Sequence, residues 1–167
     1  MKINPINNLS DKKEFYALLK SQAISLLEGE PHVIAGLSNI SALLYQNLDH
    51  INWAGFYLVH KDELLLGPFQ GKLACVHIPF GKGVCGTAYN NKETIIVANV
   101  HDFPGHIPCD SASLSEIVIP IFNKEKIMGV LDIDSPILNR FDEEDKKGLE
   151  AIVHILGTYL DFSTFIY

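Results

Sequence analysis

Three cysteines, Cys75, Cys85 and Cys109, are the only ones in this 167-residue chain, and all fall within Leu73–Glu116. A thiolate is the strongest nucleophile a side chain supplies. Three thiols at one locus permit attack, oxidation to a sulfenic acid and resolution as a disulfide. Successive cysteines lie ten and then twenty-four residues apart. With no CxxC or HxxxH pair this is not a zinc motif, although His77, His101 and His106 add soft ligands, so no metal is expected. The bland alternative is inert packing, because free cysteine is among the most buried residue types. Cys109 is the least core-like of the three, placed in a polar loop between Pro108 and Asp110. Cys85 falls near the start of a short predicted helix, where a thiol's pKa is lowered. His101 and His106 read as donors that order the loop, and either can tune a thiol.

Three carboxyls accompany the thiols. Glu116 opens the apolar run SEIVIPI, and Asp132 and Asp134 alternate within GVLDIDS, on one face of a strand. An acid inside an apolar hairpin is costly unless it is paired or lines a solvated pocket. In a pocket its pKa rises, and it can protonate a leaving oxygen or hold an ammonium; the plainer alternative is a strand-end acid that caps a turn. Trp53 and Tyr57, four residues apart on one predicted strand, share a face. They are either core aromatics or a wall for a small apolar or thioether group. Gly81-Lys82-Gly83 with Gly86 lacks the ending of a phosphate loop.

The elements that hold these residues are readable in order. Ser10 and Asp11 start a helix that Gly29 and Pro31 stop, and a second helix spans about His32–Leu48. Ile51–Val59 reads as a strand, with Glu63–Leu66 its partner, interrupted at Gly67–Gly71 and resumed as Leu73–Ile78, which carries Cys75. Val84–Tyr89 is the short helix, Thr94–Val97 a strand and Asn99–Ser113 a long loop of the functional kind. Ser115–Phe122 and Lys126–Ile133 form a hairpin. Asp134–Arg140 is a connector to a C-terminal helix whose first turn is acidic. Consecutive strands favour an antiparallel sheet with helices on one face, an α+β fold in a single domain over residues 1–167. The net charge of -7 excludes a basic nucleic-acid footprint and an anionic membrane surface. With no apolar run of spanning length and no leader, the cytoplasm is the expected compartment.

Taken together, LACVHIPFGKGVCGTA, VHDFPGHIPCDSASLSEIVIPI and GVLDIDS, preceded by INWAGFY, resemble the free methionine-(R)-sulfoxide reductases, small enzymes on the GAF fold. The resemblance runs from about Asp11 to the last helix. It implies a GAF-like central sheet of about six strands, N- and C-terminal helices packed on one face, and a homodimer joined through those helices. The implied reaction is reduction of free L-methionine-(R)-sulfoxide, with thioredoxin as electron donor and no metal or flavin cofactor. By the same resemblance Cys109 attacks, Cys75 resolves and Cys85 joins disulfide exchange. Glu116 and Asp134 polarise or protonate the sulfoxide oxygen. Asp132 binds substrate polar groups, and Trp53 and Tyr57 pack on the methyl-sulfur end. A GAF sensory or ligand-binding module is the alternative, but it is expected beside an output domain and has no need of three clustered thiols. A thiol switch without a substrate would leave the three acids unexplained.

Overall fold

The computed structural model describes residues 11–107 and 110–164, so Ser10 and Cys109 lie outside the described residues. The chain runs α1 (Lys12–Leu27), α2 (Val33–Asn47), β1 (Trp53–His60), β2 (Glu63–Gly71), β3 (His77–Pro79), α3 (Gly83–Asn91), β4 (Ile95–Val97), β5 (Ser115–Asn123), β6 (Lys126–Ser135) and α4 (Glu143–Tyr159). Among the described residues the strands form one antiparallel sheet in the order β3-β2-β1-β6-β5-β4. No described helix is long and apolar enough to cross a membrane.

The two-residue period of the central strands separates a structural face from a chemical one. Ala54, Phe56 and Leu58 of β1, Ile117, Ile119 and Ile121 of β5, and Leu131 and Ile133 of β6 point to one side. There they form a core with Leu19, Leu37, Leu44, Ile152 and Leu156 of the long helices. The intervening residues, Trp53, Tyr57, Val118 and Val130, face the other side and pack with Val84, Cys85 and Ala88 of α3. Helices α1, α2 and α4 thus cover one face, as expected, and α3 lies over the opposite one.

Asp11, expected with Ser10 to start α1, caps it, its side chain accepting the Lys13 N–H at 2.8 Å. Other expectations from sequence are corrected. Strand β2 is not interrupted at Gly67–Gly71. A bulge there places Tyr57 opposite Leu66 but Gly55 opposite Phe69, so the strand absorbs Gly67 and Pro68, and Pro68 needs no ladder hydrogen bond. Leu73–Ile78 is not a strand either. The outer ladder joins only Glu63–Leu65 to His77–Pro79, with a last link from the Leu66 N–H to the Val76 carbonyl. Cys75 therefore sits in an irregular connection. Asp134 belongs to β6, paired with Trp53 and Glu116, not to a connector.

A buried ion cluster joins the N- and C-terminal helices. Asp145, in the first turn of α4, is almost fully buried and accepts from the Tyr16 hydroxyl at 2.8 Å and Lys12 Nζ at 2.7 Å. It also accepts from Arg140 at 3.3 Å and, in a capping box, from the Asp142 N–H at 3.0 Å. Removing one member leaves the others desolvated and unpaired. Asp145→Ala is expected to destabilise the fold by about 2–4 kcal/mol, read from the midpoint of urea unfolding. A loss under about 0.5 kcal/mol would show that the cluster is not what docks α4 on α1.

Candidate active site

Strand register brings the three carboxyls together. Asp134 pairs with Glu116, and Asp132 with Val118, across the β5–β6 ladder; on its other side β6 sets Asp134 opposite Trp53 and Asp132 opposite Gly55. All three acids line one pocket with Trp53, Tyr57 and Cys85. Gly55 has a steric reason to be glycine: a Cβ there would come within 2.3 Å of Phe69 Cβ and 2.6 Å of the Trp53 ring. The Trp53 indole fills that vacant place, stacked on Phe69 at 5.3 Å and on Tyr57 at 5.9 Å between centroids.

These two aromatics also anchor the connection that carries Cys75. Trp53 Nε1 donates to the Lys72 carbonyl at 3.1 Å, and the Tyr57 hydroxyl donates to the Cys75 carbonyl at 3.0 Å. Cys75 is disulfide-bonded, whereas Cys85 is free and buried. Asp110, next in sequence to Cys109, is tied down from the other side. It accepts from Asn52 Nδ2 at 3.2 Å and faces Lys72 Nζ at 3.4 Å. Asn52 also donates to Ser113 at 3.1 Å, and Ser113 lines the pocket with Asp134. Asn52, Lys72, Asp110 and Ser113 carried no chemical signal in sequence, because ordinary polar residues acquire meaning only once the fold joins distant segments. His77, by contrast, lies away from the pocket, exposed and bonded to Glu63 at 2.7 Å.

Burial dominates the electrostatics. It raises Glu116 well above the usual carboxyl range, and the charges of Asp132 and Asp134 raise it further. Asp134 is raised by the same causes, burial first and then Asp132. Asp132 rises only to about 6, because hydrogen bonds from the Cys85 thiol and from Glu116 oppose its burial. At neutral pH the group holds its negative charge on Asp132, and Glu116 remains a carboxylic acid able to give a proton. Cys85 lies in the first turn of α3, as sequence suggested, yet its thiol is pushed well up, by burial first and then by Asp132 and Glu116. The acids outweigh the helix terminus, and Cys85 is held as a thiol. Its sulfur and one oxygen each from Glu116 and Asp132 lie within 4.8 Å of one another. That set has the chemistry to hold a soft divalent ion, but the same atoms are engaged in proton sharing.

His106 reaches the same pocket from the long loop, with Nε2 3.9 Å from Glu116 Oε2. The sequence pointed to a loop-ordering donor; the fold brings the ring to the buried acid. The arrangement offers a protonated acid, an anionic neighbour, an aromatic wall and a thiol-bearing connection around a space walled by side chains.

The sequence matches the GAF domain family over residues 36–161. It is 54% identical over 143 residues to the free methionine-R-sulfoxide reductase of Escherichia coli, covering 86% of this chain and 87% of that protein. The solved structure of fRMsr of Staphylococcus aureus in its reduced form superposes with a TM-score of 0.86 at 60% identity, covering 95% of this chain and all of that one. Free methionine-R-sulfoxide reductase of Neisseria meningitidis, solved with its substrate, superposes with a TM-score of 0.89 at 42% identity, covering 93% and 94% of the two chains. An antiparallel six-stranded sheet, helices on the expected face and this degree of likeness agree: the chain belongs to the free methionine-R-sulfoxide reductases of the GAF-domain family.

Proposed function

We propose that this chain, acting as a single domain, reduces free L-methionine-(R)-sulfoxide to methionine and draws its electrons from thioredoxin. The observation that carries the proposal is the convergence of Glu116, Asp132 and Asp134, from two adjacent strands, on a pocket walled by Trp53 and Tyr57, beside the connection bearing Cys75. Substrate enters with its methyl-sulfur end against the aromatics and its polar groups toward Asp132. The Cys109 thiolate attacks the sulfoxide sulfur while Glu116, seconded by Asp134, gives a proton to the oxygen. Attack forms a bond between the two sulfurs; the protonated oxygen then passes to the Cys109 sulfur as the substrate S–O bond and that sulfur–sulfur bond break, leaving a sulfenic acid on Cys109. Cysteine sulfur is oxidised by two electrons, the sulfoxide sulfur is reduced by two, and methionine leaves. Cys75 then attacks the sulfenic sulfur, a disulfide forms, and the hydroxyl departs with a proton as water. Cys85, held as a thiol beside Asp132, takes part in exchange after that step, and the thioredoxin dithiol restores the reduced enzyme. Such a reductant places the enzyme in the cytoplasm. A pocket walled in part by His106, Ile107, Asp110 and Ser113 favours the free amino acid over the same residue in a peptide.

The decisive assay is methionine release from the (R) epimer with thioredoxin as reductant, run beside the (S) epimer. Release from (R) alone is expected, and no release, or equal use of both, would sink the proposal. Cys109→Ser is expected to abolish release. Cys75→Ser should release one equivalent per chain and then stop, and sustained turnover by that variant would remove Cys75 from the resolving role.

The proton inventory also predicts a stability effect. A carboxyl whose native pKa is raised keeps a proton that the unfolded chain has lost above about pH 4, so its burial costs more as pH rises toward the native value. Glu116→Gln removes that cost. It should stabilise the protein by about 1–2 kcal/mol at pH 8 and much less at pH 5, while slowing methionine release about a hundredfold. Equal thermal shifts at the two pH values would contradict a protonated Glu116.

The homodimer belongs to the same proposal. Leu18 on α1 and Ile34 and Tyr45 on α2 are large apolar side chains left exposed, and a second copy packed on these helices would cover them. Sedimentation equilibrium should return twice the chain mass at micromolar concentration; a monomer would reject the assembly.

A further inference from the structure

Glu116 must give a proton in each cycle and regain one, yet its carboxyl is 7% exposed. Its hydrogen-bonded neighbour Asp132 is equally buried, and Cys85 behind it is a closed end. Protons therefore need a group that touches both Glu116 and water.

His106 meets that need. Its side chain is 15% exposed, at the pocket wall, and Nε2 stands 3.9 Å from Glu116 Oε2. The ring is set there by the backbone. Phe103-Pro104-Gly105-His106 is a turn closed by the His106 N–H on the Phe103 carbonyl at 3.1 Å, with Gly105 at φ +73°. Proline second and a positive-φ glycine third are the requirements of a type II turn. Phe103 anchors the turn against the core beneath α3. The 3.9 Å gap is too long for a standing hydrogen bond, and a bridging water or a small ring rotation closes it. Imidazole suits the task because one nitrogen accepts a proton while the other gives one.

We propose that His106 is the proton relay of this site, carrying protons between solvent and the buried Glu116 carboxyl. The inference rests on the reductase reading above and assigns the route by which its acid is reloaded. His106 acts through Glu116 and does not bind the sulfoxide. The charged and titratable groups around it are Glu116 from β5, His101 from the short helical turn before it, and Lys82, Asp110, Asp132 and Asp134 around the same pocket. Burial first, and His101 second, hold His106 below the usual histidine value, so the ring is neutral at pH 7 and ready to take a proton.

The test is steady-state turnover with thioredoxin in excess, following methionine release from pH 6 to 8.5, because only repeated turnover requires Glu116 to be reloaded. His106→Ala is expected to slow release about tenfold at pH 7.5 with half-saturating substrate changed by less than about twofold, the loss growing as pH rises. Added imidazole should restore the rate of His106→Ala in proportion to its concentration and leave wild type and Glu116→Gln unchanged. His106→Gln, which fills the space, should stay slow and resist rescue. A folded His106→Ala or His106→Gln variant that releases methionine at the wild-type rate overturns the relay. So does a slow, folded His106→Ala that imidazole does not help. A wild-type chain that releases no methionine overturns the reductase reading itself, and the relay with it.

Discussion

Three carboxyls on one apolar sheet face are the constraint on which the rest of the site depends. Each would lose its proton in water near pH 4, and in this fold they cannot all do so. The register of β5 and β6 places Glu116 beside Asp134 and within reach of Asp132, and burial withholds the water that would solvate a second anion. The group therefore shares one charge among three positions. Asp132 keeps it because interaction with the Cys85 thiol and Glu116 favours its charged form. The same arrangement fixes the resting state of Cys85, which stays a thiol beside that charge. One desolvated network thus sets an acid, an anion and a protonated thiol.

The opposite face of the sheet makes this tolerable. Raised carboxyls subtract from stability at neutral pH, and the offset comes from the apolar core against α1, α2 and α4 together with the Asp145 cluster that ties α1 to α4. Period-two alternation keeps the two tasks apart: Ile117 and Ile133 face the helices while their neighbours Glu116 and Asp132 face the pocket. A slip of one residue in the β5–β6 ladder would bury acids among the helices and turn isoleucines into the site.

Much of this was legible from residue types alone. Alternation in GVLDIDS put Asp132 and Asp134 on one face, and the four-residue spacing of Trp53 and Tyr57 put both rings on another stretch of it. Sequence was less informative where structure depends on a partner strand. Leu73–Ile78 has strand composition, but the bulge at Gly67 and Pro68 leaves it nothing to pair with beyond Val76. Cys85 departs from its helix-terminus expectation for a related reason: the local dipole is written in its own segment, whereas the acids that outweigh it arrive from β5 and β6. His106 stands in FPGH, a legible type II turn, yet nothing within the loop says that the turn ends over Glu116.

The hydrogen bond from Trp53 Nε1 to the Lys72 carbonyl has a consequence of a different kind. Trp53 is the single tryptophan of the chain, and its indole touches at once the pocket and the connection that bears the disulfide-bonded Cys75. The protein therefore carries an intrinsic fluorophore at the junction of its two working parts. Breaking the Cys75 disulfide loosens the connection at one end, and filling the pocket covers the ring from the other, so one emission spectrum registers both oxidation state and occupancy with no label attached.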